Sequence, residues 1–270
     1  MVLLALVLAS WSFLIEPNRL VLHEETLILT NWSKPLDGLR VAVLSDIHAG
    51  SPFINAAKLQ QIVDTTNQLN PDLILVLGDF MVTGRVFKHQ IAPEVIAATL
   101  KGLHARLGVY AVLGNHDWWF DGGRVWHALE EVGIRVLEND VSQIKVNGGV
   151  LWLWGVSDLN TRPQNIDATF PRVPASDPVI AMTHNPDVFP LIPARVALTL
   201  AAHTHGGQVN LPVVGRLIVP SRYGQKYAAG HIQEGSKQMF VTTGIGTSII
   251  PVRFRVPPEI VLLTLKSQSQ

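Results

Sequence analysis

The chain has 270 residues, with 21 Lys plus Arg against 21 Asp plus Glu, a formal net charge of +0. That balance excludes a general nucleic-acid binder, which needs a basic surplus to neutralise phosphates. The absence of cysteine excludes disulfide scaffolds, thiolate metal sites and cysteine nucleophiles. With 47% hydrophobic and 16% charged residues the chain can bury a large core, and a mean hydropathy of +0.26 leans toward membrane contact.

Residues 1–15, MVLLALVLASWSFLI, carry no charge and stop at Glu16-Pro17, where proline does not continue a helix comfortably. A helix of that length reaches about 22 Å, short of the ~30 Å hydrocarbon core. A signal peptide would need a basic n-region, which this segment lacks. Residues 1–17 are therefore expected to form an apolar N-terminal membrane segment, set against the alternative of a helix buried on the domain. Residues 18–270 are expected to form one catalytic domain at the inner or plasma membrane. The scattered Arg19 and Lys34 leave the membrane face open.

The rest alternates short apolar runs with amphipathic stretches. Arg40 to Leu44 reads as a strand, Asn55 to Leu69 as a helix with Leu59, Ile62, Val63 and Leu69 on one face, and Asp72 to Leu77 as a second buried strand. Ile91 to Leu103 is a second helix, Val109 to Leu113 a third strand and Val125 to Val132 a third helix. Continuous apolar strands alternating with helices argue for an α/β sheet covered on both faces. After Ile134 come Val150–Val156, Val179–Thr183, Ala197–Ala202, Met239–Gly244 and Glu259–Leu265, with turn residues between them. They suggest a second sheet packed on the first, flanked by helices.

Each early strand ends in polar residues. The first delivers Asp46 and His48, the second Asp79, and the third Gly114-Asn115-His116-Asp117. Later runs deliver His184, then His203 and His205. Ligands of open α/β sheets bind beyond the carboxyl ends of the strands. One D-x-H or one H-x-H alone is a weak signal, but five clusters in register with strand ends are not explained as turn residues. Asp46 and His48, two apart on an expected extended segment, can point the same way, as can His203 and His205. Carboxylates mixed with imidazoles suit Mn, Fe or Zn better than Ca or Cu.

In this order D-x-H, G-D, G-N-H-D, a lone His and H-x-H, the chain resembles the calcineurin-like metallophosphoesterases over roughly residues 38 to 265. The flanking THNPD at Thr183–Asp187, HTHGGQ at His203–Gln208 and GIGTSIIPVRFRVPPE at Gly244–Glu259 are similar to a branch of bacterial membrane-associated phosphodiesterases related to UDP-2,3-diacylglucosamine diphosphatases. The resemblance implies a four-layer α/β/β/α sandwich of two mixed sheets. It implies two divalent transition-metal ions, with Asp46, His48 and His205 on the first, Asn115, His184 and His203 on the second, and Asp79 bridging them. It places His116 beside the scissile phosphate as a catalytic residue that binds no metal.

The implied chemistry is hydrolysis of a phosphodiester or pyrophosphate bond by a metal-bridging hydroxide. Manganese is the expected metal, with iron and zinc as alternatives, and lipid A biosynthesis is the implied setting. Four positive charges from two ions exceed those of Asp46, Asp79 and a hydroxide, leaving a positive site for an anionic phosphate. Two ions about 3.5–4 Å apart acidify a shared water and clamp an in-line displacement, and an imidazole near neutrality can protonate the leaving oxygen. The expected partners are a phosphoester substrate, lipid-linked or nucleotide, and a membrane through residues 1–15, without nucleic acid. The competing functions are a soluble or secreted phosphomonoesterase or cyclic-nucleotide phosphodiesterase, and a non-catalytic metal-binding scaffold.

Two positions depart from the family pattern. Many relatives place an acid three residues after the second-motif Asp to orient the catalytic His. Here Val82 stands there, which leaves Asp117 or a backbone group to orient His116. Ala202 replaces the usual Gly of G-H-x-H, which suggests that the backbone before His203 need not adopt positive φ. Around the site, Trp118, with Trp119 and Phe120, is expected to wall off an acyl chain or nucleobase. Arg222, Arg253 and Arg255 are candidates for contact with a second phosphate.

Overall fold

The structure is a computed structural model that describes residues 2–83 and 90–268. Twelve strands run along the chain: β1 (Val21–Leu29), β2 (Leu39–Leu44), β3 (Leu73–Val76), β4 (Val109–Ala111), β5 (Arg135–Val136), β6 (Asp140–Val146), β7 (Gly149–Val156), β8 (Val179–Thr183), β9 (Leu198–Ala201), β10 (Gly230–Glu234), β11 (Lys237–Val241) and β12 (Glu259–Ser267). The main helices are α1 (Val2–Ser10), α2 (Ala56–Gln68), α3 (Pro93–Leu100) and α4 (Asn115–Glu131). The strands form two six-stranded sheets, in the orders β1-β12-β2-β3-β4-β5 and β10-β11-β9-β8-β7-β6.

The expected α/β sandwich of two mixed sheets is what forms. β2, β3, β4 and β5 are parallel neighbours, and so are β7, β8 and β9, while the edge pairs of the second sheet are antiparallel. The apolar faces of the two sheets meet in one core that includes Val41, Val43, Leu75, Leu153, Ile180 and Leu198. Helices α2, α3 and α4 cover the outer face of the first sheet with Leu59, Ile62, Ile96, Leu100, Val125 and Leu129. The outer face of the second sheet is covered by short turns of helix, among them Pro186–Leu191.

β5, β6 and β10 are additions to the sequence reading, and three further elements differ from it. Glu259–Ser267 does not join the second sheet. It inserts into the first, parallel to β1 and antiparallel to β2. Its run of aliphatic residues is buried on both faces, which either sheet interior would accept, so hydropathy could not choose between them. β1 was not foreseen, because its polar His23, Glu24 and Glu25 interrupt the apolar run at a sheet edge. Helix α4 begins ten residues ahead of the expected Val125, at Asn115, where no apolar period marks the start.

Residues 2–18 are a run of helix: α1, a wider turn over Trp11–Ile15 and a tight turn over Glu16–Asn18. No helix among the described residues is long and apolar enough to cross a membrane. The run is nevertheless tied to the domain. Ser12 and Glu16 are buried. The Arg253 N–H donates to the Ser12 carbonyl at 3.0 Å, and the Val256 N–H donates to Glu16 Oε1 at 2.8 Å.

Candidate metal centre

The loops after β2, β3, β4, β8 and β9 all open at one end of the sandwich and carry Asp46, His48, Asp79, Asn115, His184, His203 and His205. The structure brings all seven together. The extended segment expected for Asp46 and His48 is not what aligns them. Asp46, His48, Asp79, His203 and His205 all sit in the left-handed region, with φ of 50, 46, 56, 70 and 50°. Each such position costs about 1–3 kcal/mol for a residue other than glycine. The strain turns the chain sharply off each strand so that the side chains point inward. Ala202 itself stays out of this region and His203 takes the positive φ instead, which is how the loop manages without the usual glycine.

Two imidazole pairs face one carboxylate. His48 Nε2 lies 3.1 Å from His205 Nε2, and His203 Nδ1 lies 3.2 Å from His184 Nε2. Asp79 Oδ2 stands between the pairs, 3.6 Å from His48 Nε2 and 3.3 Å from His184 Nε2. Asp46 Oδ1 completes the first cluster, 3.2 Å from His205 Nε2. Asp46, His48 and His205 form one group that could hold an ion, and Asp79, His184 and His203 another. Asp46 Oδ1 and Asn115 Oδ1 are buried without hydrogen-bond partners. Buried polar atoms are rarely left so, and oxygens enclosed beside imidazole nitrogens fit a divalent cation.

The outer shell fixes the rings for that purpose. His48 Nδ1 donates to the Met81 carbonyl at 2.9 Å and His184 Nδ1 to the Leu77 carbonyl at 2.7 Å. Each turns its Nε2 inward. Burial opposes the charged form of His184, but the neighbouring Asp79, Asp46 and Asp158 outweigh it and hold that imidazole well above its ordinary value, so an ion there would displace a proton. Burial pushes the His48 imidazole down to about 4 and the His203 imidazole down to about 3, against the pull of Asp79. Burial also lowers His205 well below its ordinary value. Neutral rings with free lone pairs are what a cation needs. Burial pushes Asp46 up to about 6. Burial opposes ionisation of Asp79 as well, but the neighbouring His184, His48 and His116 outweigh it and hold the carboxyl well below its usual range.

His116 sits at the rim of this cluster, its ring centroid 4.7 Å from that of His48. A nitrogen of His116 comes close enough to His48 and Asp79 to share an ion with them, but both of its nitrogens have other neighbours. Thr83 Oγ1 lies 2.7 Å from Nδ1, the Thr83 N–H points at the same atom at 3.3 Å, and Ser248 Oγ lies 3.4 Å from Nε2. Asp117 does not orient His116. Its carboxylate accepts the N–H groups of Asp79, Met81 and Gly114 at 2.8, 2.9 and 2.9 Å, and so pins the second and third loops to each other. Thr83 was missed in the sequence, where a hydroxyl between Val82 and Gly84 carries no chemical mark.

A cavity of about 780 Å³ opens above the cluster, reaching Asp79, Asn115, His116, His203 and His205 at its floor. Of the expected substrate contacts, Trp118 does not line it. Trp118 packs on the core of the first sheet with the Arg162 guanidinium 4.3 Å from its ring centroid. Trp119 lines the cavity instead, its ring 5.0 Å from that of His116, because the early start of α4 sets a different helical register. Arg253 is also a correction. It is fully buried, donates to the carbonyls of Thr243, Gly244, Gly246 and Val256, and does not line the cavity. Arg222 is exposed outside the lining of the cavity. Asn160, not foreseen, reaches it with its side-chain amide 3.4 Å from His203 Nε2.

The model of the calcineurin-like phosphoesterase family matches residues 39–207. YkuE of Bacillus subtilis (strain 168), an uncharacterized metallophosphoesterase, is 30% identical over 258 residues, covering 94% of this chain and 88% of its own. The phosphodiesterase YaeI of Escherichia coli (strain K12) is 28% identical over 233 residues, covering 84% and 82%. Among solved structures, the 5'-nucleotidase precursor of Thermus thermophilus shares the fold with a TM-score of 0.50 at 13% identity, over 77% of this chain and about half, 49%, of that longer one. The chain belongs to the calcineurin-like phosphoesterase family and is a metal-dependent phosphoester hydrolase.

Proposed function

We propose that this protein is a dinuclear phosphodiesterase whose substrate is amphipathic, a lipid-linked diester or pyrophosphate of the UDP-2,3-diacylglucosamine type. Asp46, His48 and His205 would hold one ion, Asn115, His184 and His203 the other, and Asp79 would serve both. The observation that carries this reading is the single oxygen Asp79 Oδ2 set between two imidazole pairs. Divalent ions of manganese, iron or zinc in those positions would polarise the phosphoryl oxygens and acidify the attacking water. The chain's own part is positioning and proton supply. Asn115 and the rim of the cavity orient the phosphate, and His116 delivers a proton to the leaving oxygen through Nε2.

Diester cleavage is supported by the likeness to the phosphodiesterase YaeI, and the amphipathic substrate by the aliphatic walls of the cavity, Leu217, Ile218, Ile249 and Ile250. Membrane association through residues 1–15 is supported by exposure along the apolar run. The retained His116 speaks against a scaffold that only binds metal.

Metal analysis together with a substrate panel tests the reading. Wild type should carry two ions, Asp79→Asn should lose both, and Asp46→Asn mainly one. The metal-loaded enzyme should hydrolyse bis-p-nitrophenyl phosphate and UDP-2,3-diacylglucosamine in preference to p-nitrophenyl phosphate. One ion in active wild type overturns the dinuclear assignment, and a preference for the monoester overturns the diester one.

A further inference from the structure

Among the described residues, the most exposed large aliphatic side chains lie on helix α1 and on the loops around the mouth of the metal centre. Helix α1, VLLALVLAS, has no buried residue and is apolar around its whole circumference. A protein groove would bury one face of such a helix and leave the opposite face in water. Only an apolar medium surrounds it. Leu8 and Phe13 share a cleft with Leu211, Val252 and Phe254. Val252 also lines the metal-centre cavity. Helix and mouth are therefore parts of one continuous surface.

The outer rim of that mouth is aliphatic and exposed. Leu217, Ile218 and Ile249 show 68, 79 and 76% of their surface, and Val213 is fully exposed. Residues 206–219 contain a single charge, Arg216, which donates through Nε to the Gly206 carbonyl, and residues 244–252 contain none. Val213 and Ile249 hold φ of 70 and 63°. This region penalises β-branched side chains most and would suit glycine or asparagine. A loop tip that only turned in water would have neither the strain nor the aliphatic tip.

We infer that the mouth of the metal centre is itself a bilayer-docking surface. The loops at 211–218 and 249–250 enter the boundary between headgroups and acyl chains beside helix α1, and the cavity opens onto that boundary. A phosphate at headgroup level then reaches the metal centre while the chain attached to it stays in the apolar layer. The inference rests on the membrane reading of residues 1–15 and adds a second, independent contact, at the rim.

Because the chain has no cysteine, single cysteines can each carry one environment-sensitive fluorophore. Leu4→Cys reports on the helix, Leu217→Cys and Ile249→Cys on the rim, and Leu191→Cys on an exposed residue outside both cavities. The full chain is reconstituted from detergent onto vesicles of phosphatidylethanolamine and phosphatidylglycerol. Labels at 4, 217 and 249 should shift to the blue and be quenched by lipids brominated in their acyl chains, while the label at 191 does neither. If 4 reports lipid but 217 and 249 report water, the protein is anchored by its helix alone and the inference falls. If 4 also reports water, the membrane reading itself fails. If 217 and 249 are shielded without lipid, in proportion to protein concentration, a second copy covers the rim and the inference is overturned.

Discussion

His116 is held by a threonine hydroxyl. The charged ring that gives up its Nε2 proton keeps Nδ1–H, so the Thr83 hydroxyl oxygen, 2.7 Å from Nδ1, can accept from it before and after the transfer. A carboxylate in its place would stabilise the charged ring more strongly and hold back its proton. Burial lowers the His116 pKa, which favours release of its proton near neutrality. Thr83→Val should cut turnover about tenfold, the size of one hydrogen bond to a charged group, and move the alkaline limb of the pH profile, which the general acid sets, down. Thr83→Ser should restore both. A loss in the valine variant without a shift of the profile would mean the threonine only packs. The identity of the proposed ligands could be read in the sequence, because strand ends mark where such residues gather. Their geometry could not, since positive φ at Asp46, His48 and His203 follows from how five loops fit together. Trp118 and Arg253 failed as contacts because one helical register and one buried guanidinium are tertiary facts.

At the scale of elements, the loop between β11 and β12 closes the site from behind. β12 starts at Glu259 in the first sheet, while β11 ends at Val241 in the second, so the loop must cross between sheets beside the metal centre. Gly244 lies on that crossing with φ of 68°, and a Cβ there would fall 2.6 Å from Asp46 Cβ and 2.7 Å from Asp46 Oδ2. Gly244→Ala should displace Asp46 and reduce the bound metal from two ions toward one, read by titration calorimetry, with Asp79 and the second site intact. The loop after β5 offers a titration test away from the ligands. Glu138 Oε1 accepts the Leu113 N–H at 2.7 Å while Oε2 is enclosed without a partner. Burial pushes the Glu138 carboxyl from 4.5 up to about 7. The folded chain thus keeps a proton that the unfolded chain releases near 4.5. The stability this confers is complete below pH 4.5 and is lost as pH rises from there through 7, amounting to about 3 kcal/mol. Glu138→Gln, which mimics the protonated acid, should match wild type in denaturant unfolding at pH 4 and exceed it at pH 8.

Across the whole molecule, the N-terminal helix divides into two parts with different physics. Val2 to Ser10 touch little of the domain and present aliphatic surface outward, whereas the turns that follow are clamped in place. Glu16 accepts the Val256 N–H through Oε1 and the Trp11 indole N–H through Oε2, the latter at 2.6 Å. It also lies close enough to the buried Arg253 to help balance its charge. Arg253 in turn holds the carbonyls of Gly244 and Gly246, and Gly246 packs against His48. A chain of contacts therefore runs from Glu16 to the metal centre, and a boundary placed at residue 17 cuts through it. Two truncations separate the parts. Starting at Ser10 should remove vesicle binding by the helix and leave the melting temperature and metal content unchanged. Starting at Asn18 should leave Arg253 short of a balancing charge and the Val256 N–H without its partner, a loss of about 3–5 kcal/mol. At about 2–4 °C per kcal/mol for a chain of this size, that is a fall in Tm of roughly 6–20 °C, with weaker metal binding at the Asp46, His48 and His205 cluster. Equal melting temperatures for the two truncations would show that Glu16 is dispensable and that the contacts from Ser12 to Val256 carry no stability.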